Sequence, residues 1–122
     1  MSWIRNHLKI VLPVTLVALA GAWAGIRALR VGPKKVLVVD LDVHDGDGTR
    51  SFFANDESVH TFSIHNRTLL DEEACCEDTC IELGPGVTDE VYLERIKREL
   101  PPLVERFKPE LVFYLAGADV AH

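Results

Sequence analysis

Apolar residues gather in blocks along the chain, separated by polar stretches rich in Gly and Pro. "VLVV", Val36–Val39, is a short continuous apolar run entered through the turn "VGPKK", and reads as a strand buried on both faces of a parallel sheet. "VHTFSIH", Val59–His65, reads as a second strand, and "PELVFYLAGAD" as a third that ends in small residues and Asp119. Between the last two, Val91, Leu93, Ile96, Leu100, Leu103, Val104 and Phe107 recur at helical spacing. Thr88 is placed to cap that helix, Asp89 and Glu90 suit its first turn, and Pro101–Pro102 predict a kink or a break into two helices. "SFFAND" suggests a short helical turn. Strand, crossover, strand, helix and strand imply a parallel, right-handed α/β layer.

The first block, "IVLPVTLVALAGAWAGI" (10–26), carries no charge; Arg5 and Lys9 precede it, and Arg27 and Arg30 follow. Three readings stand. A buried Ala/Gly-rich helix would pack closely on the sheet, with Pro13 at an early turn or kink. A membrane anchor needs about 20 apolar residues, so the run is short for it. A secretory signal would cleave near Ala22–Ala24. The division is therefore an apolar helix over 1–30 and an α/β domain over 31–122. Basic residues after the run would keep the remainder cytoplasmic if it spanned a membrane.

Composition adds exclusions. The 122 residues make one domain at most, with 48% hydrophobic and 26% charged positions. A net charge of −6 with scattered Lys and Arg argues against nucleic acid as a partner. Cys75, Cys76 and Cys80 lie in the acidic stretch "DEEACCEDTC". An odd count at C-C-x-x-x-C spacing fits neither a disulfide framework nor a four-ligand zinc site, and predicts a solvated loop with reduced thiols.

The chemistry concentrates in "VLVVDLDVHDGDG". Asp40, Asp42 and His44 alternate, so an extended chain would set them on one side at the carboxyl end of the strand, where open parallel sheets place their ligand crevice. Asp119 ends a neighbouring strand. Two carboxylates and an imidazole with positions left open suit a catalytic metal site. The calcium-loop pattern fails because His44 and Asp45 stand where Asp or Asn and Gly are required, and no G-x-G-x-x-G follows the strand. A phosphoacceptor receiver would explain one strand-end Asp but neither His44 nor the "DGDG" turn.

"VLVVDLDVHDGDGT", Phe53, "VHTFSIH", "GVTDEVYL" and "YLAGAD" together resemble the histone deacetylase superfamily, which includes acetoin-utilisation proteins and acetylpolyamine amidohydrolases. The resemblance implies part of a three-layer, parallel-sheet fold of the arginase–deacetylase type. It makes Asp42, His44 and Asp119 the ligands of zinc, or alternatively of ferrous iron. Asp40 and Asp47 become carboxylates that each orient one of two adjacent catalytic histidines. Asp40, Asp42, His44, Ser63 and Ile64 match a structural potassium site built largely from backbone carbonyls, and Phe53 falls near a second. The implied substrates are acetylated lysine or small acetylated polyamines, hydrolysed at the amide.

The departures are equally specific. The superfamily's His-His pair lies upstream of the Ala-rich helix, and this chain has only His7 before Lys35. The oxyanion-stabilising tyrosine lies far downstream of the third ligand; Tyr92 and Tyr114 sit on a helix and a strand and do not match it. The expectation is a fragment of a deacetylase with no catalytic residue of its own. The alternative is a non-catalytic, metal-binding or membrane-associated remnant anchored through residues 10–26.

Overall fold

In the computed structural model the chain is described over residues 11–13, 32–66 and 79–117. Five strands, β1 (Val11–Pro13), β2 (Val36–Asp40), β3 (Val59–His65), β4 (Thr79–Glu82) and β5 (Leu111–Leu115), form one sheet in the order β1-β5-β2-β3-β4. Every pairing is parallel. Helix α1 (Asp47–Phe53) lies between β2 and β3 in sequence, and α2 (Asp89–Phe107) between β4 and β5.

The sheet explains the sequence of β2. It pairs with β3 on one side and β5 on the other, and all five of its residues are buried. Val36 and Val38 join Phe53 of α1, Val59, Leu111 and Phe113 in one core cluster. Leu37 and Val39 face the opposite side, with Phe62, Ile64, Ile81, Val112 and Leu103 of α2. The alternation divides the molecule into three layers, α1, sheet and α2, as the resemblance implies. Helices fall on opposite faces because the chain reverses direction. It steps from β2 outward to β3 and β4, then returns to β5 on the other side of β2. Right-handed crossovers in opposite senses put their helices on opposite faces.

Several local expectations change. Val11–Pro13, the described part of the apolar run, is a strand in register with Val112–Tyr114, not helix. It is the outermost described strand on its side, a position where Pro can lack a ladder donor. The rest of residues 10–26 lies outside the described residues, and so do Cys75 and Cys76. No described helix is long and apolar enough to cross a membrane.

Helix α2 runs unbroken through Pro101 and Pro102 rather than dividing in two. Its apolar stripe, with Tyr92, Ile96, Leu100, Val104 and Phe107 around Leu103, packs along the sheet, and that continuous contact outweighs the missing backbone donors. Thr88 is the N-cap, in extended conformation, and Lys108 closes the helix in a left-handed conformation with its N–H bonded to the Val104 carbonyl. Cys80, expected in a solvated loop, is a half-buried residue of β4 in register with Ser63.

Candidate functional site

Chain reversal leaves a crevice outside the carboxyl ends of β2 and β5. A cleft of about 300 Å³ lies there, lined by Asp40, Asp42, His44 and the 45–49 turn on one side and by Leu115–Gly117 on the other.

The sequence placed the acidic and imidazole groups by strand alternation, but β2 stops at Asp40. Asp42 and His44 belong to a turn stitched by side chain-to-backbone bonds. The Asp42 N–H donates to Asp40 Oδ1 at 3.0 Å, and the His44 N–H donates to Asp42 Oδ1 at 2.9 Å. Each Asp thus holds the backbone two residues on, a habit of Asp in turns. His44 Nδ1 lies 2.9 Å from the same Asp42 Oδ1. The His44 side chain is 59% exposed and that of Asp42 34%.

One oxygen and one imidazole nitrogen this close can both lie within the about 2.0–2.2 Å that zinc requires, with open positions toward the cleft. The donor set fits a divalent cation of that kind, and an imidazole with carboxylates also suits ferrous iron. Asp119 lies outside the described residues.

Asp40 is buried on the α1 face, beside Ser63 in register. Burial pushes its carboxyl above the ordinary range, the Asp42 N–H bond opposes this, and the nearby Asp42 and Asp45 charges add to the rise. Burial is the largest of these influences. Gly46 explains how a turn packs on this carboxylate. A Cβ there would stand 2.9 Å from Asp40 Oδ2 and 3.7 Å from Ser63 Oγ. A cation among carbonyls and these oxygens would relieve the buried charge, so Asp40 and Ser63 suit potassium. Ile64 is fully buried on the α2 face, and so offers only its backbone. Asp47, half-buried in the first turn of α1, also lines the cleft.

A polar cluster that the sequence reading did not single out lies behind the turn. Asp45 is buried and Arg50 grips both of its oxygens, with Nη2–Oδ2 at 2.8 Å. The Arg50 guanidinium holds the Asp45 carboxyl below its usual range. His65 Nδ1 is 2.9 Å from Ser63 Oγ and 3.9 Å from Asp45 Oδ1, and burial lowers the imidazole pKa. Cys80 Sγ accepts from Arg50 Nη1 at 3.5 Å. Asp45, His65 and Cys80 are the one group of three metal-capable side chains gathered within 4.8 Å among the described residues. The guanidinium already supplies a cation to that carboxylate. In the sequence these are only an Asp and an Arg five residues apart, a spacing that by itself does not signal burial.

An open, doubly wound parallel sheet with a carboxylate–imidazole pair beside its switch point defines an α/β protein whose candidate site lies at the carboxyl ends of its strands. The comparisons narrow the class. Residues 18–122 match the family model described as histone deacetylase domain, and the chain belongs to that family. It is similar to an uncharacterized protein of Picosynechococcus sp., 41% identical over 86 residues, which are 70% of this chain and 29% of that protein. A probable deacetylase of Archaeoglobus fulgidus is 33% identical over 101 residues, covering 75% of this chain and 28% of the relative. The crystal structure of the HDA15 HD domain superposes with a TM-score of 0.63 at 29% identity, over 84% of this chain and 34% of that one. The chain thus spans less than a third of the length of these two relatives.

Proposed function

We propose that the chain carries the metal-ligand turn of a zinc-dependent deacetylase that hydrolyses acetyl-lysine or acetyl-amine amide bonds. The observation that carries this reading is the convergence of Asp42 Oδ1 and His44 Nδ1, 2.9 Å apart, on the switch-point cleft. Asp42, His44 and Asp119 are the proposed ligands of zinc, with ferrous iron the alternative; Asp40, Asp42, His44, Ser63 and Ile64 are those of potassium. Bound zinc would polarise an acetamide carbonyl and acidify water.

The chain's own residues bind and orient. The two Asp-to-backbone bonds hold the donors on one side of the turn, and Leu115–Gly117 wall the cleft opposite them. Asp40 and Asp47 are the proposed orienters of a general-base imidazole pair. The 122 residues contain no two adjacent histidines, so proton transfer is not assigned to any residue of this sequence.

Calorimetric titration with Zn2+ tests the reading. One site is expected in the wild-type chain, lost or greatly weakened in Asp42→Ala, His44→Ala and Asp119→Ala. Variants that bind as wild type would overturn the ligand set. Acetate release from an acetyl-lysine peptide and from an acetylated polyamine tests the substrate class. Hydrolysis that persists in Asp42→Ala would take the metal out of the reaction.

A further inference from the structure

His44 is mostly exposed, so burial does not orient its imidazole. Its backbone is tied from three directions. On the N-terminal side are the two Asp-to-backbone bonds, and in the middle the Asn66 N–H donates to the Val43 carbonyl at 3.0 Å. On the C-terminal side the anchor is Asp45, whose side chain is wholly buried and whose carboxylate meets Arg50 fork to fork. Arg50 belongs to α1, and its Nη1 also reaches Cys80 of β4; the Asp45 carboxylate faces His65 of β3.

We propose that the buried Asp45–Arg50 ion pair is the positioning element of the metal-ligand turn, holding His44 Nδ1 opposite Asp42 Oδ1 and so setting how tightly a divalent cation is bound. The inference rests on the Asp42/His44 reading given above and goes beyond it to residues that touch neither metal nor substrate. His44 and Asp45 share a planar peptide, so fixing Asp45 fixes the exit of the His44 backbone and leaves only the imidazole's own two torsions. A bidentate pair supplies the needed rigidity, since two parallel N–H···O bonds define an orientation that a single point charge does not.

Cobalt(II) in place of zinc reads the ligand geometry through its visible absorption bands. The variant is the double replacement Asp45→Asn/Arg50→Gln, which leaves a neutral hydrogen-bonding pair and no lone buried charge. It should fold by circular dichroism, yet bind Co2+ about 10–100-fold more weakly and with altered bands, the range seen when groups supporting a metal ligand are removed. Arg50→Lys, which keeps the charge and loses the fork, should weaken binding by a smaller factor, and it carries the test if the double variant does not fold. Wild-type affinity and bands in whichever variant folds would overturn the proposal alone, provided that Asp42→Ala abolishes the bands. Bands that survive Asp42→Ala, or none in wild type, overturn the ligand reading and this inference with it. An intense thiolate charge-transfer band would place the ion at Asp45, His65 and Cys80 and overturn the clamp.

Discussion

Replacing Gly46 with Ala tests whether the ligand turn really leans on the Asp40 carboxylate. The new Cβ would lie 2.9 Å from Asp40 Oδ2 and 3.6 Å from its Cγ. The backbone at Gly46 has φ −75° and ψ 37°, so no positive-φ strain enters. On entropy alone the change would stabilise by about 0.4–1 kcal/mol. The contact decides the sign. Asp40 is 7% exposed and its other oxygen holds the Asp42 N–H, so the carboxylate can retreat only by giving up that bond. Overpacking of this kind costs about 1–3 kcal/mol, and a lost hydrogen bond about 1 more. The net expectation is a loss of about 1–3 kcal/mol, which for a chain of this size lowers Tm by about 4–12 °C. Thermal unfolding followed by circular dichroism measures it, with Ser51→Ala, exposed on α1, as a control that should move little. The same substitution in an Asp40→Ala background should cost far less, giving a coupling of about 0.5–3 kcal/mol. A Gly46→Ala chain as stable as wild type, or one whose effect adds to that of Asp40→Ala without coupling, would refute the close approach.

Two further outcomes follow from the buried groups. Burial depresses the His65 pKa below its ordinary 6.5, so on acidification the unfolded chain takes up this proton before the folded one. The stability it contributes is fully present above about pH 6.5 and is lost as pH falls toward the folded value; His65→Gln should flatten the stability profile over that window. In thermal melts, Zn2+ and K+ should each raise Tm, by a free energy of about 2.7 kcal/mol at a hundred times the dissociation constant, and His44→Ala should remove the zinc shift while leaving most of the potassium shift. No shift with either ion would mean that the crevice does not bind them.

Much of this protein is written locally. Val36–Val39 reads as a strand covered on both faces, because an unbroken apolar run has no solvent side, and β2 indeed has a neighbour on each edge and a helix layer on each face. Val59–His65 is a strand at its expected bounds, and Ile96, Leu100, Leu103, Val104 and Phe107 of α2 face the sheet as their spacing foretold, whereas Val91 and Leu93 stay exposed and Tyr92 packs instead. The strand-end position of the chemistry was legible too, since Asp40 ends an apolar run and Asp42 and His44 follow within four residues.

What needed the tertiary structure were the relations between distant segments. Pro101 and Pro102 read as a break, yet α2 passes through them because it packs along a sheet whose strands come from elsewhere in the chain. Strands β1 and β4 are too short to announce themselves, and exist because β5 and β3 offer them an edge. Alternation set Asp42 and His44 on an extended strand, but Asp side chains bonding to backbone fold that segment into a turn. Nothing in the sequence marks Arg50 as buried, and its place is decided by Asp45 on the preceding turn together with Cys80 on a strand 30 residues away. Periodicity records which face of an element is apolar; it does not record which charge will meet which, because that depends on strand order and register.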